Sequence, residues 1–353
     1  MTPWISIIIP IYNVEKYIEN CLESIVADSR EFLAGVEALV VDDGSPDRSG
    51  EIADSYAARY SFIRVIHKQN AGVAAARNTG MAAARGEWIY FMDSDDRLAR
   101  GALGKIQARC AEHQDADILL FDAFQNHAER ETAWEHFREE SVWDTADAIA
   151  ALQCGALYFP MAHPATKRPL AAPWDKVYRG RFLRENALRF AETLKVLDDM
   201  VFNMEAFGAA RAVAYCKEKI YHYRYVPDSI TNQYRPDRVE KDMAVWAYIR
   251  QYAARQNWDA ARAERFRQAY DCRIIKSFSI CCRLCFFHPQ DRRPLSQKLR
   301  DVRRVLATEP YHTAFHQVRL RNAEWRLKIV TVIGRCRWAG GIWLLHVAQN
   351  FIR

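Results

Sequence analysis

The sequence lacks several features that would assign it directly to a class of protein. It has no run of about 18 uncharged apolar residues, the length that a transmembrane helix needs. No basic region precedes the apolar stretch that begins at Ile5, so it does not resemble a secretory signal and we expect the chain to stay in the cytosol. Half of the 353 residues are hydrophobic and 27% are charged, which excludes a disordered or fibrous protein.

The sequence also lacks an ordered set of cysteines. The nine cysteines are odd in number and irregular in spacing, which argues against a disulfide framework. Cys281, Cys282 and Cys285 form one run with a CxxC spacing, but a zinc site needs a second ligand pair, and none is obvious. We therefore expect reduced, mostly buried thiols.

Two common nucleotide-binding loops are absent. A dinucleotide-binding fold needs GxGxxG after its first strand, where this chain has Pro10, Tyr12 and Asn13. The phosphate-binding loop GxxxxGK[ST] is also missing. A nucleotide phosphate must therefore be held in another way.

The first hundred residues alternate short β-branched runs with helical patterns. Four strands are predicted, with one helix between each strand and the next. Asn13 is predicted to be the N-cap of the first helix. The predicted strands are 5–9, 36–41, 62–66 and 87–92, and the predicted helices are 14–25, 48–59 and 72–84. This order predicts an α/β fold with a mainly parallel sheet and right-handed crossovers.

Polar residues follow three of these strands, at 10–13, 42–45 and 93–96. Ligands of such sheets bind beyond the carboxyl ends of the strands, so the three clusters should converge on one crevice. Acidic strand ends repel a diphosphate, and a divalent cation between them resolves this conflict. Asp93 and Asp95 can offer oxygens to Mg²⁺ or Mn²⁺, which in turn holds the phosphates.

The ordered motifs resemble family 2 glycosyltransferases, which have the GT-A (Rossmann-like) fold and use nucleotide sugars. The resemblance is close over residues 4–100 and looser to about 235. It implies a nucleotide-sugar site made by residues of the first four strand ends and of the third helix. These residues are Pro10, Tyr12, Asn13, Asp42, Asp43, Asn70, Gly72, Arg77, Asn78, Asp93 and Ser94.

The same resemblance implies individual roles. Pro10 and Tyr12 frame the nucleobase, and Asp43 accepts a hydrogen bond from it, which favours uracil and hence a UDP-sugar. Asp95 is the direct metal ligand, and Asp93 lies nearer the ribose and the metal-bound waters. His222 is a further possible metal ligand, although a lone histidine is more often structural.

Glycosyl transfer with inversion needs one general base. The candidate lies in Leu197–Phe202, where relatives have Glu-Asp-x-x-Phe and the second acid is the base. Asp199 takes that place here, with Asp198 in place of the family's Glu. Two acids at a helix N-terminus are also favoured by the helix dipole, and both interpretations can hold together.

The segment Pro173–Arg179 resembles the family's acceptor-side W-x-K-x-Y-R motif. Trp174 would offer an apolar face to a sugar ring, and Lys176 a contact to a hydroxyl or phosphate; a packed Trp and a surface Lys are the alternative. By analogy, Arg224 and the loop at Asp228–Thr231 close over the diphosphate.

The C-terminal part differs in charge from the rest. Residues 273–353 carry 16 Lys/Arg against 4 Asp/Glu, a net of +12, whereas residues 1–272 carry 34 against 40, a net of −6. We predict a catalytic domain at 1–235 with a nucleotide half (1–100) and an acceptor half (101–235), a helical domain at 236–315, and a basic amphipathic tail at 316–353. The tail suits the surface of an anionic membrane, and packing on the core or in a homodimer is the alternative. Its apolar content is too high for nucleic acid to be the leading partner.

These observations predict an inverting, metal-dependent glycosyltransferase that acts at the inner face of the plasma membrane. It would move one sugar from a UDP-sugar to a bacterial surface polysaccharide, lipopolysaccharide or lipid-linked acceptor. Gly334 stands where the Q-x-x-R-W motif of processive synthases has Gln, which argues against a processive polymerase. Two alternatives remain: an inactive nucleotide-sugar-binding or assembly protein, and a sugar nucleotidyltransferase.

Overall fold

The computed structural model describes residues 2–28, 35–127, 130–162, 166–224 and 233–351. The chain divides into two units, one formed by 1–153 with 166–226 and the other by 154–165 with 227–353. None of the described helices is long and apolar enough to cross a membrane. The domain boundaries near 235 and 315 stay predictions.

The first unit is built on a ten-stranded sheet. Its central order is β3-β2-β1-β4-β9-β6-β10-β5, with β7 beside β6 and β8 beside β10. The strands are β1 (Ile5–Ile11), β2 (Val36–Asp42), β3 (Ile63–His67), β4 (Trp88–Phe91), β5 (Arg97–Leu98), β6 (Ile118–Asn126), β7 (Glu131–Trp134), β8 (Ser141–Trp143), β9 (Lys176–Arg179) and β10 (Val213–Arg224). The α/β prediction is confirmed.

The sheet is mixed, with its parallel part mostly at one end. β1, β2, β3 and β4 run parallel to one another, and β6 runs parallel to β10. β9 lies antiparallel between β4 and β6. The order places β2 and β3 on one side of β1 and β4 on the other. The strand order therefore has its topological switch point between β1 and β4, and ligands of such sheets bind in the crevice beyond the carboxyl ends of these two strands.

The helices of the first unit follow the predicted alternation. The first three lie within two residues of the predicted bounds at both ends, except for the start of α1. The helices are α1 (Ile18–Val26), α2 (Ser49–Arg59), α3 (Val73–Ala83), α4 (Ala102–Glu112), α5 (Ala146–Leu157), α6 (Gly180–Glu185) and α7 (Asp198–Ala209). The last residues of α5 belong to the second unit.

The prediction that Asn13 caps the first helix is wrong. The helix begins at Ile18 after Tyr17, with no side-chain cap. Asn13 instead has a positive φ of 54°, a conformation that Asn adopts more readily than most residues. The next two backbone N–H groups donate to side chains at and before the start of α2, Val14 to Ser49 and Glu15 to Asp47. These hydrogen bonds hold this stretch out of the helix.

The strands of the parallel end are buried throughout, and α3 packs closely on them. All seven residues of β1 and all seven of β2 are buried. A methyl group at Gly80 of α3 would overlap the side chain of Ile8. This close approach places the first turns of α3, including Arg77, beside the crevice.

The second unit is helical in its described parts, as predicted for 236–315. Its helices after the catalytic unit are α8 (Arg238–Ala254), α9 (Ala260–Cys281), which continues into a π-helical turn (Cys282–Phe286), α10 (Leu295–Ala307), α11 (Tyr311–Gln317), α12 (Trp325–Arg335) and α13 (Ala339–Phe351). The predicted tail is thus two helices. Eight of the nine cysteines are buried and Cys336 is exposed, as expected for mostly buried thiols; their reduced state stays a prediction.

Candidate active site

Arg77 is the centre of the candidate site. Its guanidinium donates to Asp93 at 2.8 Å and to Asp199, and lies 3.5 Å from Asp198. The side chain is 4% exposed, and its charge lies 5.0 Å from the centre of the Phe190 ring. One cation thus joins the acid after β4 to the acids that begin α7, which are 122 residues from Arg77 in the sequence.

The two acids of α7 differ in their access to solvent. Asp199 has 38% of its side-chain surface exposed, against 14% for Asp198. Burial raises the pKa of Asp199 to about 7, with Asp198 and Asp93 adding to the rise and Arg77 opposing it. A carboxylate with a pKa near neutrality and an open face suits a general base. This geometry favours Asp199 over Asp198 for the predicted role, which stays a prediction.

The acids after β4 form a second, adjoining group. Burial and the neighbouring charge of Asp93 raise the pKa of Asp95. Asp96 is 2% exposed and accepts the backbone N–H of Arg224 at 2.6 Å, while its second oxygen has no hydrogen-bond partner. Ser94 is 7% exposed. The Arg224 guanidinium donates to the backbone oxygen of Asp95 at 2.9 Å, so it lies beside the acids, and its contact with a diphosphate stays a prediction.

Asp93 and Asp95 carry the carboxylate oxygens that Mg²⁺ and Mn²⁺ prefer as ligands. The charge of Asp93 makes ionisation of Asp95 costlier, and a bound cation relieves that cost. Among the described residues, no group of three or more His, Cys, Asp or Glu is arranged to hold a metal. A Mg²⁺-type site needs only one or two carboxylates when substrate phosphates supply the other ligands.

The strand ends of β1 and β2 supply the predicted nucleobase side. Tyr12 presents 49% of its surface, whereas Pro10 is buried within β1. Asn13 is exposed and its N–H donates to Ser45 at 3.4 Å. An exposed aromatic ring beside a strand end can stack on a base, and the roles of Tyr12 and Pro10 at the nucleobase stay predictions.

The two acids after β2 also organise the loop that follows β3. Asp43 accepts from the backbone N–H of Gly72 at 2.7 Å and Ala71 at 3.1 Å, and from Lys68 at 2.6 Å. Asp42 accepts from Ser45 and His67, and these hydrogen bonds outweigh burial and lower its pKa. A carboxylate has about four acceptor positions, and both oxygens of Asp43, which is 2% exposed, already accept from this loop. Its contact with a base N–H stays a prediction.

The loop that Asp43 holds carries the next predicted residues. Asn70 is exposed, and Gly72 begins α3 with a φ of +98°. Lys195 lies close to this turn, its Nζ 3.8 Å from where a Gly72 Cβ would be. Lys195 and Lys68 were not predicted from the sequence. Their positions could have indicated them, because Lys195 lies three residues before Asp198 and Lys68 directly follows β3.

Asn78 is placed differently from Arg77. Its amide nitrogen donates to the Phe190 backbone oxygen and to Glu192, and its amide oxygen accepts from the Phe190 backbone N–H at 2.9 Å. The side chain thus fixes the segment at 190–192, whose Phe190 ring supports Arg77. Direct contact of Asn78 with the donor stays a prediction.

The predicted acceptor residues are buried in this structure. Trp174 is 5% exposed and stacks on Tyr221 and Tyr223, with ring centres 4.9 and 5.4 Å away. Lys176 is fully buried, its Nζ bonded to Asp175 and to the Ala172 backbone oxygen, both at 2.6 Å. Trp174 thus has no exposed face for a sugar ring, and Lys176 does not lie at the surface. Contact of either residue with the acceptor stays a prediction.

His222 lies in a polar cluster on β10. Its Nδ1 is 3.0 Å from Glu131 and 3.1 Å from Asn126, and its ring stacks on Phe124. Burial lowers its pKa, so a neutral ring able to bind a metal is favoured. The structure gives it no contact with Asp95, and the metal role stays a prediction. The loop at Asp228–Thr231 lies outside the described residues.

The sheet order and the acids at its switch point are typical of a GT-A-type glycosyltransferase. The profile of "Glycosyl transferase family 2" matches residues 6–158. The glycosyltransferase EpsJ of Bacillus subtilis, named uncharacterized, is 31% identical over 345 residues, which are 96% of this chain and 93% of EpsJ. This chain therefore belongs to glycosyl transferase family 2, and it is an enzyme.

A second relative has been solved with a donor. Staphylococcus aureus TarS, a poly(ribitol-phosphate) beta-N-acetylglucosaminyltransferase, is 30% identical over 222 residues, 62% of this chain and 35% of TarS. The crystal structure of TarS 1–349 with UDP-GlcNAc has a TM-score of 0.67 and 20% identity, and covers 99% of this chain and 92% of that one. This likeness confirms the predicted fold.

Proposed function

We propose that this enzyme transfers one sugar, with inversion, from a UDP-sugar to a polysaccharide, lipopolysaccharide or lipid-linked acceptor. The observation that carries the proposal is the Arg77 bridge, which brings Asp199 and Asp93 within the span of one guanidinium group. A base and a donor-side acid must lie this close, because the acceptor oxygen attacks the carbon that carries the diphosphate.

In the proposed reaction, Asp199 accepts the proton of the acceptor hydroxyl as its oxygen bonds to the anomeric carbon. The bond to the diphosphate breaks on the opposite side, which inverts the configuration. Arg77 holds Asp199 in place and lies too deeply buried to leave this position. Asp95 and Asp93 would hold a divalent cation, which stabilises charge on the leaving diphosphate.

UDP as the donor nucleotide rests on two supports. Tyr12 and Asp43 lie at neighbouring strand ends, and the Tyr12 ring is exposed. The similar TarS structure contains UDP-GlcNAc. A thermal-shift screen of UDP-, GDP-, CDP- and dTDP-sugars with Mn²⁺ tests this, because a ligand that binds only the native state raises its melting temperature. Stabilisation by a GDP-sugar alone would refute the choice of uracil.

Asp199→Asn tests the base. The change preserves shape and removes proton acceptance, so we expect transfer to fall by about 10²–10⁴-fold, with donor affinity unchanged. Asp115→Asn, an exposed acid in the same unit, is the matched control. Transfer by Asp199→Asn at the wild-type rate would exclude this role.

We also propose that the enzyme works as a peripheral protein at the inner face of the plasma membrane, where lipid-linked acceptors are found. The net charge of +12 in residues 273–353 supports this location. A homodimer remains the competing use of the tail.

A further inference from the structure

The penultimate helix, α12, has an apolar stripe on its solvent side. Trp325, Ile329 and Val332 are 65%, 40% and 52% exposed. They follow i, i+4, i+7 spacing, so at about 100° per residue they lie within an arc of roughly 60°. Scattered single apolar residues are ordinary on a protein surface, but a stripe along one helix face marks an interaction surface.

The packing of the opposite face fixes this orientation. Leu327, Val330 and Gly334 are buried, and a methyl group at Gly334 would overlap the Phe315 ring. Arg335 donates from Nε to the Phe315 backbone oxygen at 2.7 Å. The helix therefore cannot turn its stripe inward without losing these contacts.

Basic residues flank the stripe on both sides. On the same helical projection Lys328 lies about 60° from Trp325 in one direction and Arg326 about 100° in the other. Both are exposed, and the Arg326 guanidinium lies 5.2 Å from the Trp325 ring centre. No Asp or Glu follows Glu324 in the sequence. An apolar stripe with cationic borders is complementary to an anionic lipid surface.

Two further exposed apolar residues follow the stripe in the chain. Trp338, in the turn before α13, is 55% exposed, and Leu344 on α13 is 51% exposed. Tryptophan is enriched at membrane–water interfaces, where one part of its ring system is apolar and the other is polar.

We propose that the stripe of Trp325, Ile329 and Val332, bordered by Lys328 and Arg326, lies in the interface of an anionic lipid bilayer. The stripe enters the boundary between headgroups and acyl chains, and the two cations pair with lipid phosphates. This inference gives the proposed peripheral location a defined surface, and it uses no residue of the catalytic site.

Vesicle flotation of the full-length protein tests the surface. We expect binding to vesicles of phosphatidylglycerol with phosphatidylcholine and none to phosphatidylcholine alone, weakening as salt is raised. The triple variant Trp325→Gln, Ile329→Gln, Val332→Gln should lower the partition coefficient at least tenfold. Arg326→Gln with Lys328→Gln should lower it roughly fivefold per charge. Val142→Gln, which changes a residue that is 55% exposed in the first unit, is the matched control and should bind as wild type.

Cys336 provides a second readout on the same helix face. It is exposed while the other eight cysteines are buried, so an environment-sensitive fluorophore can be attached there alone. Its emission should shift to the blue with anionic vesicles only.

Three results would overturn the proposal: equal flotation of the triple variant and wild type, equal binding to neutral vesicles, or no flotation of the wild type. A wild-type dimer that the triple variant turns into a monomer, without vesicle binding, would instead assign the stripe to contacts between copies. Donor hydrolysis should persist in every variant, so failure of the membrane surface is distinguishable from failure of the transferase mechanism.

Discussion

Replacing Arg77 by methionine should destabilise the enzyme in a pH-dependent way. The change keeps an unbranched apolar stem, although a shorter one, and removes the cation between Asp93, Asp198 and Asp199. Breaking a buried ion pair by removing one partner costs about 3–5 kcal/mol. Because Asp199 is 38% exposed and solvent screens its charge, we expect the lower half of that range near pH 8.

The sign of the pH dependence follows from the pKa of Asp199. In the folded wild type this pKa is raised to about 7, above the ordinary value of about 4. The folded state therefore binds the proton more tightly, and stability is lost as pH rises from about 4 to about 7. Arg77 lowers the pKa of Asp199. Its removal therefore raises this pKa further, and the loss of stability with rising pH then continues above pH 7. The difference between variant and wild type should thus grow from pH 5 to pH 8.

Urea denaturation in metal-free buffer at pH 5 and pH 8 measures this difference. Arg179→Met is the matched control, because Arg179 is also buried, pairs with Glu87 and lies 4.2 Å from the Trp88 ring centre. The control should lose stability by a similar amount at both pH values. An Arg77→Met loss that is equal at pH 5 and pH 8 would show that Arg77 contributes packing alone and would refute the charge argument.

Three further predictions follow from the site. The kcat of the wild-type enzyme should rise with pH through about 7, because Asp199 acts only when deprotonated; a flat profile from pH 6 to 8 would contradict this. EDTA should abolish transfer, with Mn²⁺ restoring the wild type and Asp115→Asn but not Asp95→Asn; full activity in EDTA would count against metal dependence. Gly80→Ala should cost about 1–3 kcal/mol by overpacking against Ile8, and an unchanged urea midpoint would show that α3 shifts to make room.

The sequence predicted the parts of the fold that depend on local patterns. β1 to β4 and the helices between them were found because apolar periodicity and turn residues act over a few positions. The expectation that the acids at 42–43 and 93–96 converge followed from the parallel order alone, and it stays a prediction. Arg77 and Asp199 were each recognised through the family resemblance, but their hydrogen bond depends on how α3 and α7 dock and was not predicted.

The side-chain surroundings that the sequence did not predict have a common physical cause. β9 lies between β4 and β6, with all four of its residues buried, and this insertion encloses Lys176. A sequence pattern cannot tell a buried lysine paired with Asp175 from a surface one, because the partner is adjacent in either case. Asn78 likewise has partners 112 and 114 residues away, which no local spacing indicates.

The charge balance of the described site gives a physical reason for a metal in the proposed mechanism. Five carboxylates, of Asp93, Asp95, Asp96, Asp198 and Asp199, lie near two guanidinium groups, of Arg77 and Arg224. Both terminal nitrogens of Arg77 are engaged with acids, so it has little capacity left for a phosphate. A diphosphate that enters this crevice adds further negative charge to it. The raised pKa of Asp95 shows that negative charge is already unfavourable at this position. A divalent cation bound there would offset the negative charge of the crevice where the leaving group gains charge.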